Sequence, residues 1–213
     1  MTRVYLLRHG ATAANLFVPY KLQGRGSDLP LNETGRFQAE AAARTLSAIP
    51  LAAVYSSPLL RAVQTALSLS RNLRPIAVEE LIEGDVGRWE GLTWDEAKEQ
   101  DPEHHGRFFQ DPGETPYPDG ESFLDVQRRV TPAVLRLASQ HPNESIAIVG
   151  HNILNRAYLA TLLGLPISKA REIRQANGGI NVIDIDDQGR SIVQTINSAI
   201  HLEGLADHLG RPG

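Results

Sequence analysis

The sequence predicts an α/β sandwich built on a largely parallel sheet, and three observations carry that expectation. Short, continuously apolar runs at residues 4–7 and 146–149 have the pattern of strands buried on both faces. Helical segments with recognisable start signals fill the spaces between such runs. One stretch, 84–120, breaks the alternation with Gly, Pro, His, Trp and acidic residues in short pieces, as an insert covering one end of the sheet does.

Taken in order, residues 4–7 open the sheet. A helix over 32–46 follows, with Asn32 as its start signal and an Ala-rich interior. Residues 51–55 form a weaker strand. Ser57-Pro58 then supplies an N-cap and a Pro at the first helical position, with Leu59, Val63, Ala66 and Leu67 on one apolar face. A short strand is expected over 76–78. Beyond the insert, a helix over 121–138 is broken or kinked by Pro132, and one over 153–163 is ended by Gly164 and Pro166. Strands at 180–185 and 191–196 pair around a turn in which Gly189 suits the tight geometry. Residues 1–203 are expected to form a single domain with 84–120 as its cap, and 204–213 a frayed tail.

Composition narrows the function. The chain has 213 residues, 41% apolar and 22% charged, with a net charge of −4 and no basic stripe. That disfavours nucleic acid and an anionic membrane as main partners. With no cysteine, thiolate nucleophiles, disulfides and Cys-ligated metal sites are excluded. His104-His105, His141, His201 and His208 lack zinc-ligand spacing, so no metal and no cofactor are expected. The start MTRVYLLRHG is too short and too soon charged for a signal peptide, and no apolar stretch approaches the ~20 residues of a membrane span, so a cytoplasmic location is the default. Whether the chain forms a homodimer is left open.

Ligands of open α/β sheets bind outside the carboxyl ends of the strands. After the first strand comes Arg8-His9-Gly10, after the second Ser56-Ser57-Pro58 with Arg61, and after residues 146–149 Gly150-His151-Asn152. Singly, such a histidine or arginine is usually a satisfied core or surface residue. Four converging at one sheet edge, beside helix N-termini and glycines that let a ligand approach, point to an anion. The residue types suit a phosphate monoester. Arg8 and Arg61 offer planar forks of donors, a neutral His9 can attack phosphorus in line, and His151 can bind an oxygen as imidazolium or as an N–H donor. A leaving alkoxide needs a proton, for which Glu83 is the candidate and Asp85 and Glu90 are rivals.

The segment Leu7-Arg8-His9-Gly10-Ala11-Thr12-Ala13-Ala14-Asn15 resembles the RHGxTxxN signature of the histidine phosphatase superfamily, in its phosphoglycerate-mutase-like branch. The likeness continues through Leu31-Asn32-Glu33-Thr34-Gly35, Ser56-Ser57-Pro58-Leu59-Leu60-Arg61-Ala62, Glu83 with Gly87-Arg88-Trp89-Glu90-Gly91, Gly120-Glu121-Ser122 and Val149-Gly150-His151. It implies a three-layer α/β/α sandwich with a small cap. It implies His9 as phosphorylated nucleophile, Glu83 as proton donor and then base, and Arg8, Arg61 and His151 as the phosphate pocket. Asn15 is implied to touch a phosphate oxygen, with Gln23 and Gly24 beside the substrate. Asn152 after His151 departs from the commonest pattern of the family and is taken as a further substrate-binding residue.

The residue pattern therefore leads to a metal-independent phosphomonoesterase acting on a small phosphorylated metabolite. The short insert and Trp89-Glu90-Gly91 resemble the broad-specificity and α-ribazole-type phosphatases. A cofactor-dependent phosphoglycerate mutase is the alternative, disfavoured because the insert holds only Arg88, Lys98 and Arg107 as basic residues. A non-catalytic phosphate-binding module is a second alternative, against which the intact His9 and Glu83 count. Specificity is expected in the insert, with Asp85, Arg88, Tyr117 and Glu121 as unranked contacts, while Trp89, Trp94, Phe108 and Phe109 pack its interior or, as the second reading, line the leaving-group pocket.

Overall fold

A computed structural model describes residues 1–70 and 72–203, so the tail expected to fray, 204–213, lies outside the described residues. Six strands form one sheet: β1 (Thr2–Arg8), β2 (Leu51–Ser56), β3 (Ile76–Ala77), β4 (Ser145–Gly150), β5 (Ile180–Ile185) and β6 (Ser191–Ser198). Their order is β3-β2-β4-β1-β5-β6. The first four in that order run parallel, while β5 is antiparallel to β1 and β6 to β5. The turn between β5 and β6 places Gly189 at φ +78°, the left-handed region that favours glycine.

The apolar runs are continuous because both faces of the sheet are covered. Successive side chains of a strand point to opposite faces. Tyr5 and Leu7 accordingly join Val54, Ala147 and Val149 against Ala42, Ala62, Ala66 and Leu69 of helices α2 (Glu33–Thr45) and α3 (Leu60–Ser70). Val4 and Leu6 join Ile146 and Ile148 against Val130, Val134, Leu154 and Tyr158 of α6 (Phe123–Ser139) and α7 (Asn152–Leu162). Helices lie on both faces, as the three-layer expectation requires.

Several local expectations change. The Asn32 side chain caps α2 by accepting from the Gly35 N–H at 2.7 Å. Ser57 Oγ accepts from the Leu59 N–H at 3.2 Å, as a cap would, but Pro58 is not the first residue of α3. The helix starts at Leu60, whose N–H donates to Asp28 Oδ1 at 2.6 Å, so its cap comes from a distant loop. Small Ala62 and Ala66 with Leu69 face the sheet, and Leu67, expected inside, is 56% exposed. Pro132 sits within α6 without ending it.

The insert is more regular than its composition suggested. It carries α4 (Trp94–Gln100) and α5 (Pro102–Gln110), and a four-residue α1 (Ala13–Leu16) precedes both near the N-terminus. The Asp101-Pro102 step starts α5: Asp101 accepts from the His104 N–H at 3.1 Å, and Pro102 takes a first-turn position that needs no N–H. Trp89 is 1% exposed at the centre of an aromatic cluster with Trp94, Phe108 and Tyr117, which gives the insert its own packing. No described helix is long and apolar enough to cross a membrane.

Candidate active site

Sheet register brings the expected residues together. β1 and β4 pair in parallel with Leu7 opposite Val149 and Arg8 opposite Gly150. Both strands end at the same level, and the His9 N–H donates to the Gly150 carbonyl at 3.1 Å. His9 and His151 therefore face each other, ring centroids 5.1 Å apart at 60°. β2 is the other neighbour of β4, so Arg61, in the first turn of α3, arrives at the same edge.

His9 Nδ1 lies 2.6 Å from the Gly10 carbonyl. A carbonyl only accepts, so this contact assigns the proton to Nδ1 and leaves a lone pair on Nε2. Burial, then the positive charges of Arg61 and Arg8, hold His9 well below the ordinary imidazole value. Burial, then Arg61 and His9, do the same to His151. Both rings are neutral at neutral pH. A neutral His9 can attack as it stands, and a neutral His151 can offer one N–H.

Both arginines are anchored to backbone carbonyls. Arg8 Nη1 donates to the Gln175 carbonyl at 2.6 Å. Arg61 Nη1 and Nη2 donate to the carbonyls of Ser27 and Gly24 at 2.6 and 3.0 Å. Burial, then neighbouring Arg156, pushes Arg8 down to about 10, still cationic at neutral pH. Arg8 Nε, Arg61 Nε, Gln23 Nε2 and both His151 nitrogens are buried with no hydrogen-bond partner among the described residues. Buried polar groups are ordinarily paired. This many buried polar nitrogens without protein partners, at one sheet edge, can seat an anion. Asn15 Oδ1 is taken by the Thr12 N–H (2.9 Å) and Asn177 Nδ2 (3.3 Å), so its own Nδ2 is the donor left to the cleft.

Glu83, 2% exposed, has a role the sequence did not reveal. Its Oε2 accepts from the N–H groups of Asn152 (3.0 Å) and Ile153 (3.2 Å), and its Oε1 from those of Leu154 (3.2 Å) and Gly84 (2.9 Å). The carboxylate thus caps α7, the helix that His151 precedes. Arg129 fixes the backbone below it, donating to the carbonyls of Ile82 (2.7 Å) and Glu83 (3.1 Å) while pairing with Glu121 at 2.9 Å. The rival acids do not line the cleft. Asp85 pairs with Arg25 at 2.7 Å, and Glu90, which burial raises above the ordinary carboxylate value, accepts from the Gly24 N–H at 2.9 Å through one oxygen, the other being buried without a partner among the described residues.

A cleft of about 210 Å³ opens above these groups. That is below the roughly 300–1,000 Å³ of drug-sized sites, which suits a small metabolite. Arg8, His9, Asn15, Gln23, Glu83 and Asn152 line it. Arg61 and His151 are fully buried and do not line it, although the His151 ring is in edge contact with that of His9, and Gly24 is turned toward Glu90 and Arg61 instead of the cleft. Of the four specificity contacts expected in the insert, only Tyr117 lines the cleft. Glu121 and Asp85 serve the pairs above, and Arg88 pairs with Asp119 at 2.8 Å.

Gly10 is also corrected. Any Cβ there would drive into the Gly35 backbone of α2, so the glycine serves helix packing and not ligand approach. Gly10→Ala is expected to cost about 1–3 kcal/mol, read as a lower urea midpoint with an unchanged m-value.

Sequence reasoning missed four residues of the site. Gln175 and Asn177 hold Arg8 and the His9 carbonyl, the latter from Asn177 Nδ2 at 3.1 Å. Arg156 and Arg171 line the cleft from α7 and from the helical turn Ile167–Glu172. The basic residues sought in the insert thus come from outside it. The Asn152 and Arg156 spacing of four on one helix was the available signal.

Fold and site together define a phosphatase of the histidine type. The model of the histidine phosphatase superfamily (branch 1) matches residues 4–198, and the chain belongs to that superfamily. It is 32% identical over 204 residues to phosphoserine phosphatase 1 of Hydrogenobacter thermophilus, covering 95% of each chain. It is 37% identical over 204 residues to a bifunctional protein of Mycobacterium tuberculosis, of whose length it spans about half (55%). The solved structure of Bacillus stearothermophilus YhfR superposes with a TM-score of 0.87 at 32% identity, over 95% of this chain and 100% of that one.

Proposed function

We propose that the protein hydrolyses small phosphate monoesters in two steps, with His9 as the group that carries phosphate between them. In the first, His9 Nε2 attacks phosphorus, an N–P bond forms and the ester O–P bond breaks, and Glu83 gives its proton to the departing alkoxide. In the second, Glu83 takes a proton from water, the hydroxide attacks phosphorus, and the N–P bond breaks to release inorganic phosphate and neutral His9. Arg8, Arg61, His151, Asn15 and Gln23 hold the phosphoryl oxygens, and Asn152 lines the leaving-group side. The cations and N–H donors supply the charge stabilisation that phosphoryl transfer elsewhere draws from magnesium.

The observation that carries this reading is the assigned His9 tautomer, with Nδ1–H on the Gly10 carbonyl and a free lone pair on Nε2 beside guanidinium groups. The likeness to a phosphoserine phosphatase supports a phosphorylated hydroxy acid as substrate. We read residues 1–203 as one catalytic domain with 84–120 as its cap. The mutase alternative regains a specific support from Arg156 and Arg171, and 2,3-bisphosphoglycerate-dependent interconversion of phosphoglycerates is its assay.

The test is a rapid-quench turnover with a labelled monoester in chelator. A protein-bound phosphoryl group stable to alkali and lost in acid, mapped to His9 and decaying to inorganic phosphate, is the expected result. Phosphate release with no such species, or only in added metal, overturns the mechanism.

A further inference from the structure

The phosphate seat does not account for all the positive charge in the cleft. Besides Arg8, its wall carries Lys21, Arg156 and Arg171. Two carboxylates share that wall: Glu83, whose charge favours the cationic forms of Arg8 and Arg156, and Glu172, which pairs with Lys169 at 2.8 Å. Arg156 is only 7% exposed and four residues after Asn152, so both present the same face of α7 to the cleft. Its Nε donates to the Ile173 carbonyl at 2.8 Å, which fixes the side chain where the helical turn bearing Arg171 meets α7.

Arg171 is held in a different way. Its guanidinium lies over the rings of Phe109 (4.2 Å) and Trp94 (4.8 Å), two aromatics of the insert. Stacking of this kind engages the face of the guanidinium and leaves the N–H edges for an anion. Arg171 makes no ion pair with any described residue. The positive charge continues in a line, since Arg8 feels Arg156 and Arg156 feels Arg171. Three guanidinium groups thus lead from the phosphate seat to the cap, with the Glu83 carboxylate near Arg8 and Arg156, and Arg171 at the far end is the one stacked on aromatics without an ion pair to any described residue.

We propose that Arg171, with Arg156, forms a second anion subsite that takes the carboxylate of the substrate's alcohol, so that the enzyme selects phosphate esters of hydroxy acids over esters of neutral alcohols. This rests on the phosphomonoesterase reading and adds to it the residues that recognise the leaving group. They belong to the body of the fold, with the insert supplying the aromatic shelf. One charge-assisted, bidentate contact in a partly buried site is worth about 10- to 100-fold in affinity.

The test compares 3-phosphoglycerate with glycerol 3-phosphate, which carries a hydroxymethyl group in place of the carboxylate. Wild-type kcat/KM is expected to favour 3-phosphoglycerate by about 10- to 100-fold. Arg171→Gln should lose about 10-fold or more on that substrate through KM, with glycerol 3-phosphate changed by less than about 3-fold, and Arg171→Lys should recover part of the loss. Equal losses on both compounds, or no wild-type preference, overturn the subsite. Calorimetric binding of both compounds to His9→Asn reads the subsite without turnover. A binding preference there that Arg171→Gln removes supports the subsite even if neither compound is hydrolysed by wild type, an outcome that instead overturns the phosphatase reading.

Discussion

His9→Ala is expected to fold and to release phosphate at least about 10⁴-fold more slowly than wild type, with no phosphoryl group trapped on the protein. The fold should survive. The ring's one hydrogen bond is to the neighbouring Gly10 carbonyl, and the His9 backbone N–H and carbonyl stay bound to Gly150 and Asn177. Catalysis should not survive, because no second nucleophile is in place. No other histidine lines the cleft, and there is no cysteine anywhere in the chain. Water would have to attack phosphorus directly while the pocket holds the oxygens, which is the residual activity left when a covalent nucleophile is removed. Phosphate release measured against a matched thermal unfolding curve separates lost chemistry from lost structure. A folded variant within about 100-fold of wild type would mean that another group attacks phosphorus.

Most of what places this site was legible in the sequence because it depends on strand ends. Residues 4–7 and 146–149 are apolar without alternation, which marks central strands. A parallel sheet brings the carboxyl ends of such strands to one edge. Arg8, His9, Gly150 and His151 follow at once. What stayed hidden depends on tertiary contacts between distant segments. The cap of α3 is Asp28 from a loop, and the cap of α7 is Glu83 from 69 residues before Asn152. Neither can be read from a local start signal such as Ser57-Pro58. Arg156 and Arg171 were invisible for the same reason. Nothing in the sequence says that a turn at 167–172 folds back onto the aromatics of the insert. Gly10 was located correctly and explained wrongly, since it answers to the backbone of α2.

The second large effect concerns Glu83, where the geometry constrains the chemistry. A carboxylate has about four lone-pair sites, and Glu83 already accepts four backbone N–H groups. To carry a proton to the leaving alkoxide, one oxygen must give up a bond to Gly84 or to the start of α7. Proton transfer is therefore linked to a small loosening of the helix that holds Asn152 and follows His151. Glu83→Gln isolates the proton from the cap. Its amide oxygen can still accept from α7, but it has no acidic proton and cannot serve as base. We expect kcat to fall by about 10²–10⁴-fold on alkyl phosphates. With p-nitrophenyl phosphate, whose leaving group departs as a stable anion, the first step should be nearly untouched while water attack remains slow. The variant should then release one equivalent of nitrophenol in a burst and accumulate phosphorylated His9. Glu83→Ala should show the same kinetics and, in addition, lose about 1–2 kcal/mol of stability as the α7 cap disappears. An alkyl phosphate turned over by Glu83→Gln at more than about a tenth of the wild-type rate would transfer the acid role to a different group. Absence of the burst, with both steps equally slow on p-nitrophenyl phosphate, would restrict Glu83 to holding α7 in place.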